Sequence, residues 1–168
     1  MRQRWVKGEV ERVAAAEFSG NYPHTIDPKG RATIPAAYRE ALCEDFTIGL
    51  NNEFNAIALY PTEKWQDMSA RLDRIPDTDM RGMAYVRLIK AFSFTGQNLD
   101  SQGRVLLPAV LRQKVGMDRA IRFAGMGHYP EIWDEARFVE INESSEQDIA
   151  KLLNYINDRY YAADRDRP

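Results

Sequence analysis

Asp27-Pro28-Lys29-Gly30-Arg31-Ala32-Thr33-Ile34-Pro35-Ala36-Ala37-Tyr38-Arg39 is answered further along the chain by Asp100-Ser101-Gln102-Gly103-Arg104-Val105-Leu106-Leu107-Pro108-Ala109-Val110-Leu111-Arg112. At an offset of 73 residues, six of these thirteen positions are identical. The register continues without a gap: Asp45 falls on Asp118, Ile48 on Ile121, Leu59-Tyr60 on Ile132-Trp133 and Trp65 on Phe138. Two copies are too few for a solenoid, which needs at least three repeats to bury its faces. They imply one domain with internal pseudo-two-fold symmetry.

Each copy reads as strand, turn, strand, helix, strand, strand. His24-Thr25-Ile26 is a short strand, and Asp27-Pro28-Lys29-Gly30 is a turn with Asp first, Pro second and Gly fourth. Gly30 permits the positive φ and bulge of a short hairpin loop. Arg31 to Ile34 return as the second strand. Pro35 stops the ladder and suits the first position of a helix that runs through Tyr38, Arg39 and Leu42. Its counterpart in the second copy ends at Gly116, a residue suited to the position just past a helix end. Thr47–Leu50 with Ala56–Tyr60, and Ala120–Ala124 with Tyr129–Trp133, read as a second hairpin in each copy.

Helices separate and follow the copies. Thr62 is placed to cap one that carries Trp65, Met68 and Leu72 on one face and ends before Pro76. Another is expected from about Thr78 to Lys90. A third, starting near Ser144 or Ser145, carries Ile149, Leu152, Leu153 and Ile156 on one stripe. These stripes read as core or subunit packing. The expected organisation is an N-terminal extension (1–17), a first module with its helices (18–90), a second module with a C-terminal helix (91–163) and a charged, disordered tail (164–168). The fold class is α+β and rich in β-structure.

The 168 residues are 44% hydrophobic and 29% charged, the composition of an ordinary globular domain. A net charge of −2 gives no global basic signature, so any affinity for DNA must come from a local cluster of cations. Cys43 is the single cysteine, which rules out a disulfide within the chain and points to a reducing cytoplasm. The first residues lack the apolar run of a signal peptide, and no window approaches the roughly 20 apolar residues of a membrane span.

Residues for enzyme chemistry are sparse. His24, His128 and Cys43 match no zinc-binding spacing, no glycine-rich phosphate loop is present, and no pair of carboxylates stands out as acid and base. The expectation is a protein that is not an enzyme and has neither cofactor nor metal. Binding chemistry is better represented. Lys29 and Arg31 flank Gly30 at a hairpin tip, with Gln102 and Arg104 in the matching places. A two-stranded ribbon fits the major groove, where arginine reads guanine bidentately. The same residues allow a second reading: Asp27 with Arg31, and Asp100 with Arg104, lie across their turns and can brace them by ion pairs. Arg39 and Arg112, one helical turn after each Pro, suit a salt bridge or a helix-to-hairpin hydrogen bond better than a base contact.

The duplicated Asp-x-x-Gly-Arg-x-x-x-Pro motifs resemble the bacterial MraZ proteins of the AbrB/SpoVT-like swapped-hairpin superfamily. The flanks agree: Tyr22 with His24-Thr25-Ile26 before the first motif, Tyr60-Pro61 with Trp65 after it, and Glu131-Ile132-Trp133 after the second. The resemblance spans roughly Phe18 to Phe138. It implies two swapped-hairpin modules intertwined into one domain with flanking helices. It further implies a cytoplasmic, nucleoid-associated regulator that binds direct repeats in double-stranded DNA upstream of its own division and cell-wall operon, commonly as a repressor. Several subunits would form a ring, with Arg31 and Arg104 facing DNA and Lys29 beside the first; Gln102, in the place of Lys29, can still hydrogen-bond a base or phosphate. Asp27, Gly30, Pro35, Arg39, Asp100, Gly103, Pro108 and Arg112 would be the motif's scaffold. Three features depart from the family pattern: residues 1–17 precede its usual start, Phe94-Thr95-Gly96-Gln97-Asn98-Leu99 replaces a Gly-Ala and acidic pattern, and Gln102 is neutral. A second function class is an antitoxin-like protein-interaction module, disfavoured by the two modules and the helices after each.

Overall fold

A computed structural model of the chain describes residues 17–42, 45–143 and 146–161. The N-terminal extension except Glu17, Cys43, the helix start at Ser144 or Ser145, and the tail from 164 lie outside the described residues. The elements are β1 (Asn21–Thr25), β2 (Arg31–Thr33), α1 (Ala36–Arg39), β3 (Phe46–Leu50), β4 (Ile57–Pro61), α2 (Thr62–Leu72) and α3 (Met80–Ala91). Then come β5 (Phe94–Gln97), β6 (Arg104–Leu106), α4 (Ala109–Lys114), β7 (Ala120–Gly125), β8 (Pro130–Asp134), α5 (Glu135–Asn142) and α6 (Glu146–Ile156). A π-helical turn, Asn157–Tyr161, follows. The described residues through Glu135 form one compact unit and those from Ala136 a second.

The first unit is built on an antiparallel sheet in the order β1-β7-β8-β4-β3-β5. The two expected hairpins, β3 with β4 and β7 with β8, are both present. The first strand of each copy lies instead against the hairpin of the other. β1 pairs with β7 from Asn21↔Ala124 to Thr25↔Ala120, and β5 pairs with β3 at Ile48↔Phe94 and Phe46↔Gln97 with a break in register between them. That irregular edge is the Phe94–Leu99 stretch, where Gly96 has φ +66.

The expected pairing of the first and second strand within a copy is corrected. Only one bridge, Ile26↔Ala32, joins them in the first copy. β2 pairs with β6 in a separate two-stranded ribbon: Arg31↔Leu106, Ala32↔Val105 and Thr33↔Arg104. The ladder is extended at both ends by reciprocal bonds, Ile34 N–H to the Gly103 carbonyl and Leu107 N–H to the Gly30 carbonyl, each at 2.9 Å. Nearness in sequence favours the local partner, but the duplicated strand has the same pattern and wins. Ala32 and Val105 both turn into the core, so pairing them joins two buried faces.

Repeat-related positions fill that core. Tyr38 and its counterpart Leu111 are buried to 1% and 0% exposure. Tyr38 meets Phe18, Tyr22 and Phe123 edge-on and donates its hydroxyl to the Gly20 carbonyl at 2.9 Å. Pro35 and Pro108 stand one residue ahead of the position expected, as extended caps rather than as the first helical residues. After α4, Gly116 takes φ +64. Its N–H bonds to Gln113 and that of Met117 to Arg112, the paired closure of a Schellman end. Thr62 does not cap α2: it is the first helical residue, and its hydroxyl donates to the Asp45 carbonyl. α3 begins at Met80 because Asp79 caps it, accepting from the N–H groups of Arg81 and Gly82.

One carboxylate is buried in the sheet. Glu131 on β8 is 5% exposed, accepts from the indole N–H of Trp133 at 2.9 Å, and pairs in register with Ala58 of β4. Loss of water pushes its pKa up, partly offset by hydrogen bonds from Asn51 and Trp133.

In the second unit, α5 and α6 leave apolar side chains in solvent. The expected stripe of Ile149, Leu152, Leu153 and Ile156 lies on α6 with helical spacing, but all four are exposed, so it is not core within the described chain. Among the described residues, no helix is long and apolar enough to cross a membrane.

Candidate nucleic-acid interface

The turns at Asp27–Gly30 and Asp100–Gly103 are closed in the same way. Gly30 N–H bonds to the Asp27 carbonyl and Gly103 N–H to that of Asp100, each at 2.9 Å, with φ +81 and +71 at the two glycines. The aspartates divide their oxygens. Asp27 Oδ1 accepts from the backbone N–H groups of Lys29 and Arg31, while Oδ2 accepts from Arg31 Nε at 2.8 Å and pairs with Nη2 at 2.7 Å. Asp100 Oδ1 accepts from Gln102 and Arg104 N–H, and Oδ2 from Arg104 Nε at 2.8 Å. Backbone donation from Arg31, then its guanidinium, lowers the Asp27 pKa to about 2; Asp100 is lowered by the same contacts from Arg104. The ion-pair brace foreseen from the sequence is therefore present at both turns.

Such a brace does not consume an arginine. A guanidinium has five N–H donors, and holding it by its Nε edge leaves its far end for another acceptor. Strand alternation puts Arg31, Thr33, Arg104 and Leu106 on the ribbon face opposite the buried Ala32 and Val105. Lys29 and Gln102 are exposed at the two tips.

Arg39 and Arg112 make the helix-to-hairpin hydrogen bond expected of them and also reach a second place, on the opposite copy, that the local sequence did not disclose. Each bonds to its own copy, Arg39 Nε to the Ile34 carbonyl at 2.9 Å and Arg112 Nε to that of Leu107 at 3.1 Å. Each guanidinium then lies against the turn glycine of the opposite copy. A Cβ on Gly103 would stand 2.7 Å from Arg39 Nε, and one on Gly30 3.0 Å from Arg112 Nη2. At Gly103 glycine is thus required twice over, for its φ and for this seat, whereas at Gly30 the φ is the main requirement. Neither arginine forms an ion pair among the described residues.

Charge accumulates unequally. Around the first tip, Lys29, Arg31 and Arg112 against Asp27 sum to +2; around the second, Arg39 and Arg104 against Asp100 sum to +1, because Gln102 is neutral. Cations thus outnumber the carboxylates around both turns although the whole chain carries a net charge of −2. The His24 ring meets Phe123 edge-on at 5.4 Å, and burial, then the charge of Arg39, lowers its pKa. Among the described residues, no group of three or more His, Cys, Asp or Glu side chains is disposed to hold a metal.

The family model described as "MraZ protein, putative antitoxin-like" matches residues 18–84 and 94–155. The transcriptional regulator MraZ of Syntrophomonas wolfei is 40% identical over 144 residues, covering 81% of this chain and 96% of the relative. Its counterparts in Desulfitobacterium hafniense strain Y51 and Heliobacterium modesticaldum are 38% and 37% identical, covering 79% and 82% of this chain and 92% and 98% of their own lengths. With both motifs inside the matched segments, the chain belongs to the MraZ family.

Proposed function

We propose that the chain is a transcriptional regulator that binds double-stranded DNA through the β2–β6 ribbon and its two flanking turns. The observation that carries this is the outward face of the ribbon: two guanidiniums, each steered by a turn carboxylate, rise from paired strands of different copies. A guanidinium fixed at one edge loses little freedom on meeting the O6 and N7 of guanine. Arg31 and Arg104 read bases; Lys29, Arg39 and Arg112 meet phosphates; Gln102 hydrogen-bonds at the second tip. The cross-pairing of β1 with β7, β5 with β3 and β2 with β6 supports the intertwined, pseudo-two-fold swapped-hairpin arrangement of two modules. The names of the relatives support regulation of transcription, without chemistry on a substrate.

Target sites are direct repeats upstream of the chain's own operon, where binding represses, in the cytoplasm at the nucleoid. Several subunits engage successive repeats as a ring, held partly by the exposed stripe of α6, so that modest charge per chain is multiplied by effective concentration. Gel-shift titration of the upstream DNA with wild type and with Arg31→Ala/Arg104→Ala tests the reading. The expected result is a salt-sensitive shift that the double variant loses while its melting curve stays cooperative. A folded double variant that binds as well as wild type overturns the site.

A further inference from the structure

The outward face of the ribbon is not purely cationic. Its rungs are Arg31↔Leu106 and Thr33↔Arg104, and Leu106 is 56% exposed in the middle of them. A lone exposed leucine needs no explanation on most surfaces. Here it stands directly opposite a base-reading arginine, with its Cδ1 3.6 Å from where a Cβ on Gly30 would lie. Its counterpart at the offset of 73 is Thr33, which also ends in a methyl group. Each rung therefore pairs one guanidinium with one methyl-bearing side chain, and directly opposed residues hold their Cβ atoms roughly 5 Å apart.

The major groove presents a matching alternation. Guanine offers two acceptors to arginine, and thymine is the base that carries an apolar group there, the C5 methyl. We infer that Leu106 contacts the methyl of a thymine neighbouring the base read by Arg31, and is a specificity-determining residue of the ribbon. Thr33 makes the smaller equivalent contact beside Arg104. The two rungs then differ in preference, and the Arg31 rung is the one that demands thymine. This rests on the ribbon being the DNA-reading face.

The test removes only the methyl. The upstream DNA is amplified with deoxyuridine triphosphate in place of thymidine triphosphate, and both duplexes are titrated with wild type, Leu106→Ser and Leu106→Val. Wild type should bind uracil DNA about four-fold more weakly for each ribbon engaged, the effect of one buried methyl-sized group. Leu106→Ser should lose most of that discrimination, and Leu106→Val, which keeps two methyls, should retain it. Equal binding of both duplexes by wild type overturns the inference, as does an undiminished preference in Leu106→Ser, which would trace the effect to duplex shape. Failure of wild type to bind either duplex removes the DNA reading and this inference together, whereas indifference to uracil removes only the second.

Discussion

Gly103→Ala separates the cross-copy seat from simple turn chemistry. Two costs are built into the structure. Alanine at φ +71 enters the left-handed region, about 1–2 kcal/mol. The new Cβ also lies 2.7 Å from Nε and 2.9 Å from Cζ of Arg39, so the guanidinium must leave, and with it the 2.9 Å bond from Nε to the Ile34 carbonyl. That bond contributes about 1 kcal/mol, the ordinary value for a hydrogen bond rather than the larger one for a charged donor, because Arg39 is exposed. The total is about 2–3 kcal/mol, which for a domain of this size lowers Tm by roughly 4–12 °C. Gly30→Ala meets only the free Nη2 end of Arg112 at 3.0 Å, which can swing aside, so its cost is the φ term alone, about 1–2 kcal/mol. Calorimetric melting of a double-mutant cycle isolates the difference. On an Arg39→Ala background the Gly103→Ala penalty should shrink by about 1 kcal/mol, and on an Arg112→Ala background it should not change. An identical penalty on both backgrounds refutes the seat.

Other outcomes follow from the same geometry. Asp27→Asn keeps an acceptor for the turn but releases Arg31, so binding to unrelated DNA should strengthen while the ratio of specific to unrelated binding falls in paired gel shifts. The Asp27 pKa is lowered from the usual 3.8 to about 2, so its contribution to stability is present above about pH 4 and lost as pH falls through about 2; the Tm gap between wild type and Asp27→Asn should close over that window. Glu131 has the opposite sign: its raised pKa means that the folded state loses stability as pH rises through that value. Glu131→Gln, which still offers Trp133 an acceptor, should therefore narrow the Tm difference between pH 4.5 and pH 8, and a wider difference would count against burial as the cause. Lys29→Ala should reduce the slope of log affinity against log salt by about 0.9 if one phosphate is lost, and Gln102→Lys should raise it by the same amount.

What could be read from the sequence was local. The turns at Asp27–Gly30 and Asp100–Gly103, the positive φ of their glycines, the closure at Gly116 and the β3–β4 and β7–β8 hairpins each depend on residues within a few positions of one another. The partner of β2 did not, because a duplicated motif gives two strands with the same pattern, and the nearer strand looks as suitable as the true one. Arg39 and Arg112 were legible as scaffold residues, but their seats lie on the other copy, 64 and 82 residues from them in the chain. Periodicity likewise revealed an apolar stripe on α6 without revealing that the described residues leave it uncovered.

The exchange of strands between copies has a consequence for how such a chain can diverge. Were the copies separate polypeptides, each would lack a ladder for its first two strands and would have to find a second molecule, making its stability depend on concentration. Two such molecules, being products of one gene, would carry the same tip twice. Covalent fusion turns that meeting into an intramolecular event and frees the halves from identity. Lys29 differs from Gln102, and Thr33 from Leu106, while the residues that lock one half into the other, Arg39 with Gly103 and Arg112 with Gly30, are the same in both copies. Two unlike tips, which a strictly symmetric pair cannot carry, become available to a single gene product.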